Sequence, residues 1–325
     1  VTVPDETGPD ETGPDETGPD ETVPERAVPI LEVGGTHVTA ARVHPGQWRV
    51  DRVVRHPLDG HASAADLIAA IAEAGARVQA PDGADWGVAM PGPFDYEHGI
   101  ARFTGVAKFD SLSGVDLRAA LTSALPRRPR SITFVNDASA FLLGEWLAGA
   151  VRGVDRCAAL TLGTGIGSAF LDRGRVIDHG PNVPPQAEVH LIVHDGLPLE
   201  DWVSRRAIRR RYAEEAGSAA RIPEADVHEI AELARCGDAV AAATLDAAFT
   251  LLGRVVGPWL ARFQAQALVV GGSISRSWDL IESPLRTGLS DSVDLELRLA
   301  EDPEHAPLIG AAYPAVTRAA TTPAG

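Results

Sequence analysis

Two stretches of this chain place glycines where a strand must turn, and a third places a carboxylate where a strand ends. The first is EVGGTHVTAARV, in which Gly34, Gly35 and Thr36 separate two apolar segments. The second is LGTGIGSAFLDRGRV, with Gly163, Thr164, Gly165 and Gly167. In dinucleotide and P-loop sites the glycine-rich loop runs into a helix whose N-terminus holds the phosphate. Here both stretches re-enter a strand, and Ser168 stands where the third glycine of G-x-G-x-x-G would fall. The pattern implies a hairpin tip that offers backbone N–H groups and a threonine hydroxyl to a phosphate. One such tip alone is more often a plain tight turn, but two in matching positions of two halves argue for phosphate. The third stretch is FVNDASAFLLGEW. Asp137 there either caps the following helix or stands at the C-terminal edge of a strand, where α/β folds hold ligands. In the second case it could take the proton of an attacking hydroxyl.

The elements that position these groups follow from apolar runs and Gly/Pro punctuation. Strands at about 30–33, 38–43 and 48–54 form a meander, turned by Gly34-Gly35 and by HPGQ at 44–47. A helix over 64–76, a strand at 85–89 stopped by PGP, a helix over 115–123 and a strand at 132–135 come next. The second half repeats the theme with strands at 157–162 and 168–171 and a turn before Val176. Helices dominate 200–263, and a strand at 267–270 runs into GGSIS. This is an α/β fold built from a duplicated unit, with a cleft between two lobes.

Composition narrows the classes. Residues 3–22 repeat TGPDE, and their eight acids carry half of the formal net charge of −16. Such a segment cannot bury enough apolar surface to offset its ordering entropy, so residues 1–26 are expected to form a disordered, solvating tail. The remainder is mildly acidic and shows no basic footprint for nucleic acid. Lys108 is the only lysine. Cys157 and Cys236 have neither zinc nor redox spacing and are expected to be buried thiols. No run approaches ~18 uninterrupted apolar residues, so no membrane span is expected. The first residues lack the features of a secretory signal, and the cytoplasm is the expected compartment.

Taken together, EVGGTH, GVAMPGPFDYEHG, NDASAFLLGE, LTLGTGIGSAFLDRGRV, LEDWVSRRAI, LVVGGSIS and LIGAA occur in the order found in the ROK family of sugar kinases and regulators. The resemblance runs from about Val28 to Tyr313. It implies the two-lobed actin-like ATPase (ribonuclease H-like) fold of the hexokinase–actin superfamily. The N-terminal lobe would span 27–137, completed by a helix at about 306–320, and the C-terminal lobe 138–305. Gly34, Gly35 and Thr36 would then hold ATP phosphates, as would Gly163, Thr164, Gly165 and Gly167. Gly271 and Gly272 would leave room for adenosine. The resemblance makes Asp137 the catalytic base and puts Asn136 on a neighbouring sugar hydroxyl. Gly92 would lie in the turn below the sugar, and Glu200 would hold sugar hydroxyls. Glu32 stands where relatives usually carry an aspartate that orients Mg²⁺ through its water shell. A homodimer is the expected assembly.

Departures fall in the part that selects the substrate. Many relatives carry E-x-G-H followed by three zinc-binding cysteines. Here QAEVHLIVHDGLPLEDW has no cysteine, and Glu188 and His190 stand one residue closer together. Both are expected to reach the sugar, His194 to be a surface residue, and structural zinc to be absent. Lys108 and Phe109 stand where relatives often carry an asparagine-containing sugar loop. The leading reading is ATP- and Mg²⁺-dependent phosphorylation of a glucose-like hexose at the 6-hydroxyl. The alternatives are a non-catalytic sugar-binding regulator and a kinase that uses polyphosphate as donor.

Overall fold

The computed structural model describes residues 26–105, 108–217 and 224–321; the TGPDE repeat lies outside them. The first unit opens with an antiparallel meander of β1 (Val28–Val33), β2 (His37–His44) and β3 (Arg49–Pro57). It continues through α1 (Ala64–Arg77), β4 (Asp85–Met90) and a small hairpin of β5 (Phe94–Asp95) and β6 (Ile100–Ala101). It closes with α2 (Leu117–Ala124), β7 (Ser131–Asn136) and α3 (Asp137–Ala148). The second unit opens with another meander, β8 (Arg156–Leu162), β9 (Ile166–Asp172) and β10 (Arg175–Val176). A small hairpin follows, β11 (Val193–His194) with β12 (Leu197–Pro198). Four helices come next: α4 (Glu200–Val203), α5 (Arg205–Ala216), α6 (Val227–Arg235) and α7 (Ala239–Phe263). The unit ends with β13 (Ala267–Gly271), α8 (Trp278–Leu289), β14 (Glu296–Leu299) and α9 (Ala306–Thr321).

The two five-stranded sheets have the same plan. Their orders are β3-β2-β1-β4-β7 and β10-β9-β8-β13-β14, and in each the last two strands run parallel to the first strand of the meander. Parallel strands are covered on both faces, which is why β1 reads as a nearly unbroken apolar run. Alternation sends Leu31 and Val33 toward Leu67 and Ile71 of α1. Val28 and Ile30 join Phe141 and Leu142 of α3 and Leu308 and Ala311 of α9 on the other face. α1 starts where the Ser63 hydroxyl accepts from the Asp66 N–H, a side-chain cap for an otherwise unpaired donor.

Each unit's last helix packs against the other unit's sheet. α9 lies on β1, β4 and β7, while α3 lies on β8 and β9, and the two helices cross each other. Bare backbone permits the crossing: a Cβ on Gly310 would strike the Ala140 carbonyl, and one on Gly144 would strike Ala306. At the far end of α3, the buried Glu145 carboxylate accepts from the N–H groups of Ala150 and Glu301, tying both units together. Gly310→Ala must push the helices apart, at a typical overpacking cost of ~1–3 kcal/mol. Its melting temperature is expected to fall by roughly 2–5 °C. An unchanged melting temperature would show that the crossing tolerates a methyl group.

Two expectations need correction. Cys157 is buried, but Cys236 is exposed, because it sits at the C-cap of α6 where the chain turns out of the core. α7, at 25 residues, is long and apolar enough to cross a membrane by length and composition alone. Scattered polar residues had hidden this from a search for unbroken apolar runs. In the fold, its Leu245, Phe249, Leu252, Val256 and Leu260 fill the core of the second unit.

Candidate active site

Register across the first sheet builds one side of the site. Arg55 on β3 pairs with Thr39 on β2, Thr39 with Glu32 on β1, Glu32 with Ala89 on β4, and Ala89 with Val135 on β7. Directly paired residues share a face of the sheet, so Arg55, Thr39 and Glu32 form a polar row. Asp137 follows two residues after Val135, at the C-terminal end of β7. Burial raises the Glu32 carboxyl from its ordinary 4.5 to about 7; Asp137 adds to the rise, while Arg55 and the Thr39 hydroxyl oppose it.

The chain turn at β7–α3 separates two jobs that the sequence left open. Asn136 is the helix cap, its Oδ1 accepting from the Ser139 N–H at 3.1 Å. Asp137 is the first helical residue, with Oδ1 accepting from the Ala138 N–H at 2.8 Å. Asp137 is open to solvent, yet the protein crowded around its carboxyl pushes its pKa up, while His190 holds it down. Both statements hold for a group on the floor of an open cleft. Water that reaches the carboxylate moderates the rise until a ligand displaces it.

Around Asp137 the structure gathers residues far apart in sequence. Asn136 donates through Nδ2 to the Tyr96 hydroxyl at 3.1 Å, and that hydroxyl donates to the Met90 carbonyl at 3.1 Å. Burial holds the Tyr96 phenol strongly toward its protonated form. Glu188 Oε2 lies 3.9 Å from His190 Nε2. Burial raises the Glu188 carboxyl, His190 opposes the rise, and Asp137 adds to it. A Cβ on Gly92 would sit 3.5 Å from Glu188 Oε1 and 3.6 Å from the Tyr96 hydroxyl oxygen. Gly92, Asn136, Asp137, Glu188 and His190 therefore belong to one cluster, joined by Tyr96. The shortened spacing works because Val189 turns into the core, leaving Glu188 and His190 to point out together. Ser168 pins this segment, accepting from the Val189 N–H and donating to the Ala187 carbonyl. His194 stands apart, packed edge-on against Trp202.

Both glycine stretches are hairpin tips, closed by Gly34 N–H to the His37 carbonyl at 2.9 Å and by Gly163 N–H to the Gly165 carbonyl at 3.0 Å. At the first, the Thr36 hydroxyl and Arg55 both lie 3.2 Å from His37 Nδ1. Burial lowers the His37 pKa, and Arg55 lowers it further. At the second, the Glu200 carboxylate occupies the place a Cβ on Gly165 would take. A carboxylate there would repel phosphate, so a phosphate at this tip would have to meet its Gly163–Thr164 side. Gly163 also faces Ser273, at 3.7 Å from its would-be Cβ to Oγ. Gly271 and Gly272 have packing reasons of their own: the Phe141 ring lies against Gly271, and Gly272, at φ +91, abuts the Leu162 backbone. Among the described residues no group of three or more His, Cys, Asp or Glu side chains is placed to hold a metal ion. Glu32 and Asp137 nonetheless fit Mg²⁺, which keeps most of its water and needs one or two carboxylates. Asp137 makes Glu32 harder to ionise, and a cation would relieve that repulsion.

This architecture, two like units with their last helices exchanged and a cluster of acids between glycine hairpins, is the two-lobed actin-like ATPase fold. The chain belongs to the ROK family, whose model matches residues 30–317. It is similar to a glucokinase of Thermotoga maritima, with 31% identity over 81% of this chain and 87% of that protein. Among solved structures, it resembles a ROK family glucokinase from Streptomyces griseus in complex with glucose and AMPPNP. That similarity has a TM-score of 0.73 at 22% identity, covering 89% of this chain and 98% of the other. It also resembles an inorganic polyphosphate/ATP-glucomannokinase from Arthrobacter sp., with a TM-score of 0.64 at 26% identity, over 90% and 99% of the two chains.

Sequence reading did not assign Tyr96, Thr39 or Arg55 to the site. Tyr96 was in view within PGPFDYEHG, but its contact with Asn136 arises from the β5–β6 hairpin. Arg55 and Thr39 carried no signal without the register of β2 and β3.

Proposed function

We propose that this chain, a sugar kinase of the ROK family, transfers the terminal phosphoryl group of ATP to the 6-hydroxyl of a glucose-like hexose. The hydroxyl oxygen attacks phosphorus, the bond to ADP breaks, and the hydroxyl proton passes to Asp137. The observation that carries this reading is the position of Asp137, uncapped and open to the cleft, with Asn136, Glu188 and His190 beside it. The protein crowded around its carboxyl makes it a stronger proton acceptor, and His190 favours the ionised form that can accept. Glu188, His190 and the Asn136–Tyr96 pair supply donors and acceptors for sugar hydroxyls; Glu200, against Gly165, approaches from the second unit. Glu32 would hold Mg²⁺, which would supply charge neutralisation to the phosphates. The rest is positioning and exclusion of water. In this reading the protein works as a homodimer in the cytoplasm.

Likeness to the Arthrobacter enzyme keeps polyphosphate as a second donor to be measured. The test is phosphate transfer by the purified chain over a panel of hexoses and amino sugars, with MgATP and with polyphosphate. Sugar-dependent ADP release with glucose or a near relative is expected. Transfer only from polyphosphate would replace the donor, and no transfer to any sugar would favour a sugar-binding regulator.

A further inference from the structure

Lys108, the only lysine in the chain, stands in a stretch where the resemblance expects a sugar loop. Its side chain lies instead on the first glycine hairpin. A Cβ added to Gly35 would fall 2.7 Å from both Lys108 Cδ and Lys108 Nζ. Gly35 is thus bare on the side where the ammonium sits. The next residue fixes this placement: Phe109 is 2% exposed, its ring packs 5.3 Å from that of Phe103, and its N–H donates to the Gly60 carbonyl at 2.7 Å. Gly60 completes the stack, since its would-be Cβ lies 3.0 Å from the Gly35 carbonyl oxygen and 3.4 Å from Lys108 Cβ. Among the described residues the Lys108 ammonium has no ion pair and no hydrogen bond. A cation held on a glycine hairpin without a carboxylate partner is suited to an anion.

The position of the hairpin indicates which anion. Glu32 lies three residues before Gly35, and across the sheet it is in register with Ala89 and Val135, two residues before Asp137. The first hairpin therefore stands beside the proton acceptor, where the transferred phosphate must be. The second hairpin stands beside Ser273 and the Gly271–Gly272 turn. Arg55 adds a second cation at the first hairpin through His37.

We propose that Lys108 is a ligand of the donor's terminal phosphate, held on Gly35 so that its ammonium meets the phosphoryl group as it transfers. This rests on the kinase reading. The test compares the parent, Lys108→Met and Lys108→Arg for binding of AMPPNP, ADP and glucose by calorimetry, and for turnover with MgATP. Lys108→Met is expected to lose ~10–100-fold in AMPPNP affinity and in turnover, the scale of one charge-assisted hydrogen bond. ADP and glucose should bind as to the parent, and Lys108→Arg should recover part of the loss. Equal loss for ADP would overturn the assignment to the terminal phosphate. So would loss confined to glucose, or no loss at all. A parent that makes no sugar phosphate would sink the kinase reading itself, while the AMPPNP and ADP comparison would still report on Lys108.

Discussion

Asp137→Asn is expected to bind sugar and nucleotide as the parent does and to turn over roughly 10²–10⁴-fold more slowly, the usual scale for losing a general base. Asparagine keeps the shape of the side chain and can still accept from the Ala138 N–H through its oxygen. The helix start should survive, because Asn136 rather than Asp137 caps α3. On the proposed mechanism, what disappears is the acceptor for the hydroxyl proton and a negative charge that makes Glu32 harder to ionise. The substitution also removes a charge from a crowded place, so the variant should be no less stable than the parent. Turnover within about threefold of the parent would mean that the proton leaves by another route, well outside the range for a lost base.

Glu32→Gln should separate activity from stability. In turnover it is expected to cost at least ~10-fold, equivalent to ~1.4 kcal/mol, and to raise the Mg²⁺ requirement. Glu32→Asp should stay within about tenfold of the parent, since a contact through water tolerates one methylene. In stability the sign reverses. The folded-state pKa is raised from 4.5 to about 7, so folded protein binds more protons than unfolded chain between those values. The stability contributed by the protonated carboxyl is full below about 4.5 and is lost as pH rises through 7. Glutamine resembles the protonated acid at every pH. The variant should therefore melt with the parent near pH 4.5 and above it at pH 8. The gain is at most ~3 kcal/mol before solvent screening reduces it. Equal activity at limiting Mg²⁺ would remove the metal role, and equal melting at pH 8 would mean that Glu32 is not held in a costly place.

The elements could be read because they are local. Val38 to Val43 is a short, mostly apolar run between the Gly34-Gly35 turn and HPGQ, so the duplicated meanders followed from punctuation alone. The choice between helix cap and proton acceptor for Asp137 could not be made, since a carboxylate at the junction of strand and helix can serve as either. The row of Arg55, Thr39 and Glu32 depends on pairing interrupted by a register shift between Ala40 and Arg42, which no local pattern records. Tyr96 reaches Asn136 across forty positions, and its hydroxyl gives no sign of this in sequence. Cys236 misled because an apolar neighbourhood in the chain is not one in space. Gly271 and Gly272 were read as clearance for a ligand, whereas Phe141 and Leu162 already require them.

The most direct test is phosphorus NMR of the parent protein with glucose and MgATP, with Asp137→Asn run alongside. A phosphomonoester coupled to the C6 protons, formed in step with ADP and nearly absent in the variant, is the expected result. A phosphate ester at another carbon, ADP release without a sugar phosphate, or equal product from both proteins would contradict 6-hydroxyl transfer with Asp137 as base.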